Sequence, residues 1–435
     1  MLRAEGTVVE PIVFTSFLDD AVDGVDSNQD GSLSSPSSAD WMNVNFYNSA
    51  PSSVVRYARV FYGGQGVSNN PNGWYPKYTG AFSVHGAHPQ ITDSIFERNH
   101  AISLYVEKGA HPLLERNMIK NTAFASQASA WMSGFGVRIA DASSTADIIG
   151  NIFEDNTIGI SSESATSTPL IVKDNTFTRN QKNAEFNYSY GDLNLENTNN
   201  QDSERKGGLY IQLVVRDGQV KTLRADTMPY VFRGGITVAE GGILTIEPGA
   251  VIKSASNPQA SSVPVVIRGT LKAQGTEVRP IIFTAFADDS DGYDSDGAAG
   301  APTSGAWENI QFLGATSSNS ILEYVQVRYG GLGKNLCPHA YLGGPCMDYK
   351  GAMLIQDASP TISRATFDKN LAIAVYVAGD AQPIIEYSDI HDTKQAIKNP
   401  TTSIGGIGIS IGAESLPALT DNTFTNNFED VVYRP

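Results

Sequence analysis

Basic residues are scarce in this chain. Thirty Lys and Arg stand against 46 Asp and Glu in 435 residues, for a formal net charge of −16 and a pI near 4.8. That balance argues against nucleic acid or anionic membrane as partner and suits a solvated surface that binds cations. Long apolar runs are missing too. None approaches 18 residues, so no segment reads as a membrane-crossing helix. No amphipathic stretch keeps a helical period beyond a couple of turns, and 41 Gly with 21 Pro oppose long helices. Cysteine is reduced to Cys337 and Cys346, which bracket Pro-His-Ala-Tyr-Leu-Gly-Gly-Pro. A disulfide clasp in an oxidising compartment is the expectation, contributing ~2.5 kcal/mol at most through local ordering. The alternative is a pair of free cytosolic thiols. Only His339 stands near them, and the spacing is unlike a zinc site.

What the sequence does have is one long sentence, stated twice. Leu2-Arg-Ala-Glu-Gly-Thr-Val-Val-Glu-Pro-Ile-Val-Phe-Thr-Ser16 is answered by Leu271-Lys-Ala-Gln-Gly-Thr-Glu-Val-Arg-Pro-Ile-Ile-Phe-Thr-Ala285, an offset of 269 residues. The match resumes at Trp41 against Trp307, at Tyr57–Gly64 against Tyr324–Gly331, and at Tyr78–Ala81 against Tyr349–Ala352. A shorter beat runs inside each copy, an apolar anchor followed by Asn or Asp at a turn. Anchors Phe96, Ile119 and Phe153 are spaced by 23 and 34 residues, and so are Phe367, Ile390 and Phe424. Short β-branched runs such as Leu244–Ile246, Val265–Ile267 and Ile407–Ile411 read as strands of three to five residues. Gly, Asn, Asp and Ser fill the joints, where left-handed or Asx-bonded backbone is needed. Stacked coils of a parallel β-helix give this pattern, with identical side chains roughly 4.8 Å apart. The fold expectation is therefore all-β, a right-handed solenoid of two tandem homologous units. Residues 1–207 form one and 208–435 the other, continuous or joined through 182–234. Phe96, Ile119, Phe153 and Phe177 should share one buried stack, and Phe367, Ile390 and Phe424 another.

The first copy starts in mid-unit, since residues 208–270 have no counterpart before Leu2. Met1-Leu-Arg-Ala-Glu also lacks the apolar core of a secretion signal. The expectation is a slice of a longer array whose targeting signal lies outside this sequence. A hydrophobic fraction of 41% with 17% charged residues supports a filled core.

The strongest chemical signal follows each Phe-Thr strand. The first copy carries Asp19, Asp20, Asp23, Asp26, Asn28 and Asp30 before Gly31; the second carries Asp288, Asp289, Asp291, Asp294 and Asp296 before Gly297. Asp26-x-Asn28-x-Asp30-Gly31 has the alternating oxygen ligands of a calcium loop. It departs from the EF-hand because position twelve is Ser37 and no helices flank it, which leaves Asp19 or Asp20 to supply the bidentate ligand. Carboxylates this crowded repel one another unless a cation offsets them. Structural calcium is the cofactor expectation, and solvated acidic turns are the plain alternative.

The strings Leu244-Thr-Ile-Glu-Pro-Gly-Ala-Val-Ile-Lys253, Gly269–Thr276 and Pro280–Thr284, with the Asp-rich insertion, Trp307 and Tyr329-Gly-Gly331, resemble a unit of large bacterial secreted and surface proteins. Those belong to the right-handed parallel β-helix, or pectin-lyase-like, superfamily. The resemblance implies the fold and an extracellular or cell-surface setting. It leaves function open, because the superfamily holds polysaccharide lyases, glycoside hydrolases, tailspikes and adhesins. The first functional reading is a calcium-stabilised structural or adhesive module whose partners are carbohydrate or other surface components. The second is a carbohydrate-active enzyme, and the third a subunit that self-associates end to end through exposed strand edges. A hydrolase needs paired carboxylates on adjacent coils. Asp368, Asp389 and Asp392 with His391 are the candidates, although their first-unit partners Glu97, Met118, Asn121 and Lys120 do not repeat the set. A lyase needs a base near calcium, for which Lys120, Arg138 and Arg98 are available. His85, His88, His100 and His111 read as surface histidines. Trp41 and Trp307 read as structural; Trp74 and Trp131 sit in loops where they could stack on sugar or lock the loop.

Overall fold

The computed structural model describes residues 1–22, 24–31, 33–48, 53–66, 79–125, 133–186, 194–255, 264–298, 300–335, 347–399 and 402–434. Cys337, Cys346, Trp74, Trp131 and Asp23 lie outside these residues. Among the described residues almost every element is a strand, and the single helical turn is a 3₁₀ segment at Ala315–Asn319. The chain divides into two compact units, residues 1–210 with 226–228, and residues 211–225 with 229–435.

The coils are built of short strands that pair in parallel with their counterparts one coil away, and the second unit adds two antiparallel strand pairs, Lys334–Asn335 with Met347–Asp348 and Gln395–Asn399 with Thr402–Gly405. In the first unit one ladder runs Ile12–Phe14, Ala58–Phe61, Ile95–Glu97, Met118–Lys120, Ile152–Glu154, Thr176–Thr178 and Gln201–Asp202. The corresponding ladder of the second runs Val251–Ser254, Ile281–Ala285, Val325–Arg328, Thr366–Asp368, Asp389–His391 and Thr423–Thr425. The strands are short because single left-handed residues bend the chain between them. Asp93, Arg116 and Asp174 occupy one corner, and Arg98, Asn121 and Asp155 the next, all with φ between 51° and 56°. Asp, Asn and Arg take the left-handed position itself, and the residue after it is often the inward Asn, which together set the rhythm.

The middle residue of each three-residue strand points inward. Phe96, Ile119, Phe153 and Phe177 are register partners, all with 0% exposure. The Phe153 and Phe177 rings stack at 5.2 Å with planes 12° apart. Burying each ring contributes ~1.5–3 kcal/mol. Phe367, Ile390 and Phe424 form the second stack. Phe367 and Ile390 are fully buried, and Phe424 is partly buried.

Polar side chains stack inside as well. Asn117 donates to Asn151 at 3.0 Å, Asn151 to Asn175 at 3.1 Å, and Asn175 to Asn200 at 3.0 Å. Asn200 donates to the Asp226 carboxylate at 2.9 Å, which closes the row on a charge. Each amide also serves a backbone group of a neighbouring coil, as when Asn151 bonds the Leu114 carbonyl. Each such bond contributes a net ~0.5–1.5 kcal/mol, and an apolar replacement would orphan buried backbone as well.

The repeated Tyr-Gly-Gly is a close-approach device. A Cβ on Gly64 would lie 2.5 Å from the His100 carbonyl oxygen, and one on Gly331 would lie 2.4 Å from that of Leu371. Both glycines have φ near +96°, so neither accepts a side chain. Trp41 and Trp307 pack beside them, and each indole N–H donates at 2.7 Å to a carbonyl of the next strand, Phe61 or Arg328. These tryptophans fasten the acidic insertions to the coil.

Candidate functional site

The insertion after Ile12–Phe14 begins with a fixed corner. The Thr15 hydroxyl donates to Asp19 at 2.5 Å, and Asp19 is buried. The second unit repeats this bond from Thr284 to Asp288, also at 2.5 Å. Both Asp19 and Asp288 are thereby tied to their own strand. The free carboxylates lie further along. Asp20, Asp26 and Asp30 bring three carboxylate oxygens within 4.8 Å of one another. Backbone N–H groups of Asp30 and Gly31 donate to Asp26 at 3.2 and 2.8 Å, which wraps the turn around that carboxylate. Asn28 turns to a supporting role. Its amide donates to Asp30 at 3.0 Å and to Ser34 at 2.7 Å, while its oxygen accepts from the Asp30 N–H. The structure thus gathers the carboxylates of Asp20, Asp26 and Asp30, with Asn28 bonded to Asp30 at their edge and Asp19 tied to Thr15 instead.

Two oxygens there are shielded from solvent and accept no hydrogen bond, Asp20 Oδ1 and Asp30 Oδ1. Among the described residues no Lys or Arg pairs with Asp20, Asp26 or Asp30. Leaving a charged acceptor buried and unmet costs ~1–3 kcal/mol or more. An all-oxygen donor set of this kind would suit a calcium ion. The residues present fit the ion.

The second insertion gathers Asp289, Asp294 and Asp296 within the same 4.8 Å limit. It differs in having a cation of its own. Lys253 is fully buried; its ammonium donates to the carbonyls of Asp288 at 2.8 Å and Tyr293 at 2.7 Å and pairs with Asp291 at 2.9 Å. Burial would raise the Asp288 carboxyl, but hydrogen bonds from Thr284 and Ser290 and the charge of Arg328 hold it below its ordinary value. Asp289 goes the other way. Burial and the negative neighbours Asp294 and Asp296 raise it, against the opposing pull of Lys253. Asp289 Oδ1 and Asp291 Oδ2 accept no hydrogen bond. The sequence reading missed Lys253, whose only signal is a lone ammonium in the apolar run Ala250-Val-Ile-Lys253.

The carboxylates proposed for catalysis lie on the outer face of the second unit's ladder. Asp368 and His391 are register partners on adjacent coils. Left-handed Asp392, φ 55°, folds its carboxylate back to 3.1 Å from His391 Nδ1. Asp368, His391 and Asp392 form a third group within 4.8 Å, while the half-exposed Asp389 stands apart, 3.9 Å from Nε2. The bases considered for a lyase are engaged already. Lys120 pairs with Glu97 at 3.4 Å, Arg98 with Glu97 at 3.6 Å, and Arg138 with Ser161 and Glu163.

One histidine expectation is corrected. His85 is buried, not on the surface: its ring stacks on Tyr47 at 4.6 Å and lies between Glu107 at 2.8 Å and Asn45 at 3.2 Å. Adjacent coils bring these partners together across distances of 22 and 40 residues, which local spacing does not display. His88 is exposed, and His111 bonds Asp147 at 2.9 Å.

Coils of short parallel strands with inward stacks define a right-handed parallel β-helix protein. The chain belongs with the right-handed β-helix proteins: residues 36–201 match the family model described as "Right handed beta helix region", and residues 217–335 match "Pectate-lyase like beta helix domain". No curated protein matches the chain. No helix among the described residues is long and apolar enough to cross a membrane.

Proposed function

We propose that this chain is a structural or adhesive β-helix module of the cell exterior, with calcium held by its acidic insertions. The observation that carries the reading is the first insertion. Three carboxylates converge there, two of their shielded oxygens lack any donor, and no ammonium or guanidinium among the described residues pairs with them. The second insertion is the weaker site because Lys253 already offsets part of its charge. The ion's role is to pin residues 19–40 to the coil edge, with a Kd of ~10⁻⁴–10⁻³ M, as in extracellular modules. Calorimetry with calcium chloride up to roughly 10 mM tests this. Saturable heat, lost in an Asp20→Asn/Asp30→Asn variant, is the expected result; no heat reduces the insertions to acidic turns.

Carbohydrate is the partner class we favour. Beside the first insertion a cleft of about 250 Å³ is lined by Asp19, Arg59, Phe61, Tyr62, Glu97 and Arg98. Aromatic faces with mixed charge suit a sugar ring and its polar substituents. A panel of neutral glycans and polyuronates, assayed for binding and for released products, separates the readings. Binding without turnover supports the adhesive module, and release of unsaturated or reducing ends establishes the enzyme instead.

A further inference from the structure

We propose that Asp368, His391 and Asp392 form a second kind of metal site, one for a divalent transition metal of the zinc class. The argument starts from who holds each carboxylate. Lys369 lies 3.2 Å from Asp368 Oδ2, and Lys394 lies 3.2 Å from Asp392 Oδ1. Each lysine takes one oxygen and leaves its partner oxygen facing the imidazole. Those partners, Asp368 Oδ1 and Asp392 Oδ2, lie 3.4 and 3.1 Å from the same atom, His391 Nδ1.

A single proton on Nδ1 serves one acceptor only. Asp392 is aligned to receive it, whereas Asp368 Oδ1 is shielded from solvent and accepts no hydrogen bond. A metal ion replaces that proton and serves all three atoms at once. Tetrahedral zinc with bonds of about 2.0–2.2 Å sets its ligands about 3.3–3.6 Å apart, close to the spacing already present. The imidazole nitrogen favours zinc over calcium, which prefers an all-oxygen shell. On the ring's far side the exposed Asp389 stands 3.9 Å from Nε2, beyond hydrogen-bond distance, so metal binding must displace the Nδ1 proton that Asp392 now accepts. Three protein ligands leave the fourth position to water or an anionic ligand atom. The first unit cannot build this site, because Lys120 stands at the position of His391 and pairs with Glu97.

The test titrates the untagged full-length chain with zinc chloride by calorimetry, in about 10 mM calcium so that the acidic insertions are occupied. Cobalt(II) follows as a spectroscopic probe. One zinc per chain is expected, with visible cobalt absorption of a tetrahedral nitrogen–oxygen site. His391→Ala should weaken zinc binding about 100-fold and abolish that absorption. His391 is partly exposed, so the variant should keep its melting temperature in the absence of metal. Asp368→Asn, which preserves shape, checks the same ligand set without removing the ring. Equal zinc binding by the wild type and both variants overturns the proposal, as does no uptake at roughly 1 mM zinc. Either failure leaves the calcium reading standing, since His391 contributes nothing to the acidic insertions.

Discussion

The first unit's acidic insertion has no lysine among its described partners, while its ladder fills the position beside Glu97 with Lys120. The second unit differs at both places, although its Lys253 belongs to residues 208–270, for which the first copy has no counterpart in this sequence. Lys253 enters the insertion, and the ladder position beside Asp368 carries His391 instead of an ammonium. At the one ladder position the two copies share, a fixed ammonium in the first stands where the second has an imidazole. The lesson is that coil geometry and surface ion chemistry are separable: the inward apolar stacks and left-handed corners set the coil, so an outward ladder position such as that of Lys120 and His391 is free to change its charge.

Breaking the contrast at Lys253 has the largest expected effect. Lys253→Met removes a fully buried ammonium and leaves Asp291 and two carbonyls without their donor. Losing one partner of a buried pair costs about 3–5 kcal/mol. Urea unfolding followed by tryptophan fluorescence should show the second unit losing that stability. A loss below ~1 kcal/mol would mean the ammonium is dispensable and the contrast between insertions is empty.

Calcium should sharpen the same contrast. At ten times its Kd a bound ion stabilises by about 1.4 kcal/mol. Hydrogen exchange with and without chelator should show strong calcium-dependent protection over residues 19–40 and weaker protection over 286–300. Equal protection in both would show that Lys253 does not substitute for metal.

The fold was legible because its determinants are local and repeated. The spacing of Phe96, Ile119 and Phe153 encodes coil length directly, and Asn at a corner announces a left-handed residue beside it. The sites were less legible. That Asp20 and not Asp19 joins Asp26 and Asp30 depends on the Thr15 hydroxyl capturing Asp19 four residues away. Lys253 meets its loop across 35 to 40 residues, and His85 meets Asn45 across 40. A residue of three-residue strands can point in or out with no change of pattern visible at that range, and only coil stacking decides which charges meet.

The smallest expected effect lies at Asp289, and its sign is the useful part. Burial and the neighbours Asp294 and Asp296 raise this carboxyl above its ordinary value. A group raised in the folded state contributes stability that is fully present below its ordinary pKa of 3.8 and lost as pH rises through the higher one. At neutral pH without metal, ionised Asp289 is therefore a net loss, and Asp289→Asn should stabilise the fold by less than ~1 kcal/mol given its solvent contact, read as a small rise in melting temperature. Asp288 has the opposite sign. Its lowered value contributes stability above the ordinary range that disappears as pH falls through the lowered one, so Asp288→Asn should destabilise at neutral pH. Melts in chelator at pH 7 and at roughly pH 3 separate the two, since protonation of Asp289 erases the Asn advantage in acid. Saturating calcium should invert the result at pH 7, because the ion then makes the Asp289 charge an asset. A gain from Asp289→Asn that persists in calcium would remove Asp289 from the metal's ligands and leave Asp294 and Asp296 alone, too few to hold it.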